Sequence, residues 1–289
     1  MEQTQNRNKG IFFIISAAFF FALMGLFVRL SGDLPAAQKS FFRNIIAFAV
    51  AIGTLKKSGK KIDFGKGNLP YFLIRSLAGT VGIWCNFYAV DHLVLADASM
   101  LNKMSPFFVV IFSALILKEK VMLKQWMAVL VAFIGSLFVI KPTFTNMDLK
   151  SSLIGFAGGA AAGLAYTFVR KLGERGIKGP LVVAFFSGFS CLAMLPFVIA
   201  NYTPMSGKQI LFLLCAGLAA TGGQFSVTAA YFHAPAREIS VYDYSQIIFS
   251  TLFGVVVFRQ MPDGWSFLGY IIILATAVWM FMDKRKGEV

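Results

Sequence analysis

Lys103 and Asp243 are the residues of this sequence best placed to do chemistry, because each is an ionisable group inside a long apolar run. A charged side chain near the centre of a bilayer costs about 2.5–3.5 kcal/mol on insertion scales, so it needs a counter-charge or a water-filled cavity. Ser99, Asn102, Lys103 and Pro106 follow the i, i+3, i+4, i+7 spacing that places residues on one helix face. Ser240, Asp243 and Tyr244 form a similar face later in the chain, with Tyr242, Ser245 and Gln246 beside them. If the two faces meet, two uses of the Lys103 and Asp243 pair are open: a structural ion pair between helices, or part of the wall of a substrate cavity. Aromatic groups with a few placed polar ones, as Asn102, Tyr242, Tyr244 and Gln246 provide, are what small-molecule pockets are made of. Arg43 poses a choice between substrate contact and snorkelling to an interface. Trp84, Asn86, Tyr88, Gln224 and Tyr231 are open to cavity lining or to packing, whereas Arg75, nearer the end of its run, is expected to be an interfacial anchor. Pro106 interrupts its helix and frees a carbonyl for substrate or for a hinge, unless it is a simple kink.

Other chemistries lack their residues. His92 and His233 are the only histidines, and Cys85, Cys191 and Cys215 have no ligand-like spacing, which argues against a metal centre. No phosphate-binding glycine loop, nucleophile elbow or paired carboxylate with a base is present. No cofactor and no enzymatic activity are expected.

The elements that must position these residues are membrane spans. The chain has 289 residues, 57% of them hydrophobic and 14% charged, against about 25% charged in soluble domains. Runs of spanning length predict helices near 10–30, 37–55, 70–90, 94–117, 124–140, 152–171, 180–200, 209–232, 236–258 and 265–282. The first run extends from Gly10 to Leu30 without a convincing cleavage site, so it is read as the first span and not as a signal peptide. The net charge of +14 resides mainly in short loops and speaks for membrane orientation, with no nucleic-acid partner expected. Eighteen Lys and Arg fall on one side of the ten spans and six on the other, which predicts a cell-membrane protein with both termini cytoplasmic.

The sequence also matches itself at an offset of 141 residues, without a gap between residues 27 and 119. Phe27-Val28-Arg29 falls on Phe168-Val169-Arg170, Thr80 on Thr221, Gly82 on Gly223, His92 on His233, Ser99 on Ser240 and Asp97 on Glu238. Shared apolar composition explains scattered Leu and Phe matches, but not His, Gly, Thr and Ser in one register. Repeats 1–145 and 146–289 of five spans each follow. An odd number of spans inverts the second copy, giving two inverted five-helix repeats in an all-α fold of ten transmembrane helices. Such inverted repeats suit alternating access, with a site at the midplane.

The fourth span and its exit, Ala98-Ser99-Met100-Leu101-Asn102-Lys103-Met104-Ser105-Pro106 through Lys118-Glu119-Lys120, followed by Gly135, resemble the drug/metabolite transporter superfamily in its EamA branch. Pro106, Glu119 and Gly135 match that pattern; Ile247, Gln260 and Thr276, at the same places in the second copy, do not. The resemblance implies a ten-span transporter and a structural or gating role for Glu119, whose plainer reading is a salt bridge to a neighbouring Lys. The expected function is secondary transport of a small polar metabolite, an amino-acid-like zwitterion or an organic anion. A flippase for a lipid-linked substrate is the alternative. The partners expected are the substrate and the bilayer, with proton coupling at Asp243, Glu238 or His233 and facilitated exchange both left open by the sequence, and with a monomer or a homodimer as the assembly.

Overall fold

The computed structural model describes residues 2–57, 63–92, 101–140, 149–259 and 261–286, and among them there is no β-strand. The helices are α1 (Glu2–Leu30), α2 (Ala36–Lys57), α3 (Leu69–His92), α4 (Ser105–Ile116), α5 (Leu123–Ile140), α6 (Leu149–Glu174), α7 (Gly179–Ala200), α8 (Gly207–His233), α9 (Ala236–Ile239), α10 (Ser245–Phe258) and α11 (Gly264–Lys286). Local signals set several ends. Ser206 and Gln209 form a capping box at the start of α8, and Gly176 at φ 72° takes the left-handed turn after α6.

Seven helical segments among the described residues are long and apolar enough to cross a membrane: 6–30, 123–140, 149–174, 179–200, 207–233, 236–258 and 264–282. The α2 and α3 segments are 22 and 24 residues long but carry Lys39, Arg43 and Arg75 with several amides. The α4 segment is apolar but has only 12 residues.

Two predicted spans are broken where the sequence reading drew them continuous. The backbone turns at Lys103 and Met104 before α4 begins, and Ser240–Tyr244 is a 3-10 helix between α9 and α10. Pro106 lies in the first turn of α4, where a missing N–H leaves no bond unmade, so it starts a helix and does not kink one. Ser99, Asp97, Gln260, Lys141 and Pro142 lie outside the described residues.

Helix α1 packs on α8, α3 on α6, α2 on α7 and α5 on α11; α4 packs on α6, and α10 on α1. Exchanging residue n for residue n+141 turns this list into itself. The same correspondence holds in detail. A Cβ added to Gly82 would touch Ala162 at 3.2 Å, and one added to Gly223 would touch Phe21 at 2.6 Å, the residue 141 before Ala162. His92 Nδ1 lies 2.9 Å from the carbonyl of Tyr88, and His233 Nδ1 lies 2.7 Å from that of Ala229. The run Gly155 to Gly163 brings α6 against Cys85, Leu101 and Phe108, the close approach that small residues allow in lipid.

Contacts between ends sort the helices into two faces. Arg175 donates to Asn68 Oδ1 and Arg7 to the carbonyl of Met280, so α1 and α3 begin where α6 and α11 end. We call this the N-terminal face. At the far face Gln209 donates to the Ser31 carbonyl, Gln38 to that of Thr203, and Arg29 lies 4.2 Å from the Phe258 ring.

Candidate functional site

Positions 75, 79, 82, 83 and 86 of α3 form one stripe, and with Arg43 of α2 they wall a chamber of about 190 Å³. Asn102 and Lys103 enter it from the break before α4, Asp243 and Gln246 from the 3-10 segment and the start of α10, and Tyr166, Phe186 and Gln224 from α6, α7 and α8. The breaks explain why these groups converge. Each lets a polar side chain and the local backbone turn inward where a continuous apolar helix would present carbon.

Lys103 Nζ donates to Asp243 Oδ2 at 3.2 Å and to Gln246 Oε1 at 2.8 Å. The Tyr244 hydroxyl, fully buried, donates to the Lys103 carbonyl at 3.2 Å. Arg75 donates to Gln224 Oε1 at 3.2 Å, with its guanidinium carbon 3.9 Å from the Phe186 ring centre. Gly79 permits this stacking, because a Cβ there would strike the Arg75 guanidinium and come within 2.8 Å of Phe186.

A second cavity of about 520 Å³ adjoins the chamber through Asn86, Asn102, Lys103 and Gln246 and reaches Ile140, Gly254, Pro262 and Ser266 at the far face. The N-terminal face is tied shut below the chamber. Arg170 at the end of α6 lies 3.7 Å from Glu119 and 3.3 Å from Glu174, and donates to the carbonyls of Tyr231 and Phe232. Arg237 donates to the Lys120 carbonyl, and Glu238 lies 3.9 Å from Arg7. Glu119, in the loop after α4, thus pairs with Arg170 of α6. Burial pushes its carboxyl above the usual carboxylate range, against the pull of Arg170 and Arg237.

Lys103, Asp243, Asn102, Gln246 and Arg43 all meet in the chamber. Tyr244 supports it from behind. Tyr242 is buried but lines neither cavity, because at three residues per 3-10 turn Asp243 and Gln246 share an edge that Tyr242 leaves. Trp84 also lines neither. Two positions from Asn86, it falls on the opposite side of α3, packed against Phe197 with rings 4.2 Å apart. Arg75 is the main correction. It is 2% exposed and lines the chamber and is no interfacial anchor, since the start of α3 is covered by the end of α6. Tyr88 stacks on His92 and Tyr231 on Tyr166, so of the five open aromatic and amide positions only Asn86 and Gln224 face the chamber. Tyr166 was missed, and its place beside a small-residue run gave no signal.

The EamA-like transporter family matches residues 8–141 and again 149–282, two copies whose starts are 141 residues apart. A pseudopaline exporter of Pseudomonas aeruginosa is 28% identical over 280 residues, covering 96% of this chain and 98% of that protein. A riboflavin transporter of Vibrio cholerae is 26% identical, covering 96% and 94%, and solute carrier family 35 member G1 of Homo sapiens is 25% identical, covering 95% and 79%. A protein of known crystal structure shares the fold with a TM-score of 0.85 at 16% identity, over 98% of this chain and 99% of that one. With both halves matched and the relatives named as transporters, the chain is a multi-pass membrane protein that belongs to the EamA-like transporter family.

Proposed function

We propose that the protein is a secondary transporter that carries a small polar metabolite, an organic anion in preference to a zwitterion, across the cell membrane by alternating access. The observation that carries this reading is a polar chamber, built at paired breaks in two helices, that communicates with one face and is tied shut at the other. In this reading ten spans form two inverted repeats, 1–145 and 146–289, with the N-terminal face in the cytoplasm, where the eighteen loop cations belong. The conformation described is then outward-facing, and the ties among Glu119, Arg170, Arg237, Glu238 and Arg7 are its cytoplasmic gate. Lys103 and Asp243 line the path, with Asn102, Gln246 and Arg43.

The test is counterflow into proteoliposomes. Protein loaded with an unlabelled organic anion is expected to accumulate the labelled one, and lipid-linked substrate scrambling without counterflow would replace this reading by the flippase.

A further inference from the structure

Among the described residues, the chamber lining contains three cations, Arg43, Arg75 and Lys103, and one carboxylate, Asp243. Lys103 and Asp243 satisfy each other at 3.2 Å. Arg43 and Arg75 make no ion pair with a carboxylate among the described residues, and the Nε of each is buried without a hydrogen-bond partner. Arg75 is held in place by neutral groups, the Gln224 amide and the Phe186 ring, which orient a guanidinium without cancelling its charge. Removing an ion from water is costly, and a partner of opposite sign is what offsets that cost. Two such side chains in one chamber, with two positive charges beyond what Asp243 balances, therefore describe a site whose missing component is anionic.

We propose that the substrate carries at least two carboxylates, bound in the inner chamber by Arg43 and Arg75. This deepens the transport reading and rests on it. A guanidinium presents a planar fork that matches a carboxylate with two parallel bonds, so two of them accommodate two carboxylates. A zwitterionic amino acid fits less well, because its single carboxylate leaves one guanidinium unmatched and its ammonium adds to the positive excess. The two cavities meet at Asn102, Lys103 and Gln246, so an acidic head in the chamber of about 190 Å³ leaves about 520 Å³ of vestibule for the rest of a larger molecule.

Purified full-length protein is heated with acetate, glycine, inorganic phosphate, succinate or tricarballylate at matched ionic strength, because a ligand that binds only the folded state raises the melting temperature. Succinate and tricarballylate are expected to stabilise the protein, and acetate and glycine to leave it unchanged. Arg75→Lys keeps the charge and loses the fork, and is expected to weaken tricarballylate binding at least tenfold while the apo protein melts as before. Should that variant misfold, Arg43→Lys is read in the same way. Stabilisation by glycine or acetate equal to that by the di- and tricarboxylates, or by phosphate alone, or by none of the five, overturns the inference. Counterflow of the same compounds separates it from the transport reading. Exchange of glycine with no di-acid binding sinks the inference and keeps the transporter, whereas di-acid binding without counterflow of any compound does the reverse.

Discussion

Lys103→Met is the most informative single change. It removes the donor at 3.2 Å from Asp243 and 2.8 Å from Gln246, but it leaves the backbone carbonyl that accepts from Tyr244. At that separation and an effective dielectric of 20, the pair attraction is about 5 kcal/mol. Orphaning one member of a buried pair costs about 3–5 kcal/mol. The Asp243 side chain is 19% exposed to the chamber, and that hydration places the expected loss near the lower bound, about 3 kcal/mol. Adding Asp243→Asn removes the orphan, so the double variant is expected to lie within about 1 kcal/mol of the parent, about 2 kcal/mol more stable than Lys103→Met alone. Thermal melting reports folding and counterflow reports transport. A pair that contacts substrate gives a double variant that folds and does not transport; a purely structural pair gives one that does both. Full counterflow by a well-folded double variant refutes the site assignment, and a single-variant loss below about 1 kcal/mol refutes the energetic reasoning.

Gly79→Ala is expected to displace the Arg75 guanidinium from between its own helix and Phe186, costing about 1–3 kcal/mol as overpacking and abolishing tricarballylate stabilisation; unchanged binding would separate Arg75 from the site. Single cysteines at Tyr202 and Lys66 in a cysteine-free background are expected to be labelled by an impermeant reagent from outside at the first and spared at the second, and the reverse would invert the orientation. Burial holds the Glu119 carboxyl above the usual carboxylate range in the conformation described. If opening hydrates it, the closed gate binds the proton more tightly, and the linkage sign is fixed: falling pH favours the outward-facing state, and rising pH through the raised value removes that preference. Cysteine accessibility in the vestibule, at Ser266→Cys, is expected to rise as pH falls in the parent and to lose this dependence in Glu119→Gln.

Much of the site was legible because ionisable residues in apolar runs are few and the repeat register pointed Lys103 at Asp243. What the register could not show was backbone. Apolar runs around 94–117 and 236–258 read as continuous spans, since a break at Lys103 or a 3-10 turn at Ser240–Tyr244 changes no composition. The same breaks decided that Gln246 faces the chamber and Tyr242 does not. Arg75 was misread because distance from a helix start measures depth only if the loop above is open to water. Here Arg175 and Asn68 cover that start, a tertiary fact with no local signature. Trp84 failed on periodicity alone, since the stripe through Arg75, Gly79 and Asn86 already excluded it.

The bond from the Tyr244 hydroxyl to the Lys103 carbonyl joins two residues 141 apart in sequence, a position and its own image in the other repeat. If the inward-facing state is the outward-facing one with the halves exchanged, the Cα–Cα distance between a residue and its image is the same in both, because the exchange only swaps the ends of the line. Lys103 and Tyr244 then mark a stationary point of the cycle, around which the remainder turns. Links such as those of Arg170 to the Tyr231 and Phe232 carbonyls join residues that are not images of each other, and the exchange does not hold their lengths fixed. A short cross-link near the stationary point would be carried through the cycle unnoticed, while the same cross-link at the gate would stop it.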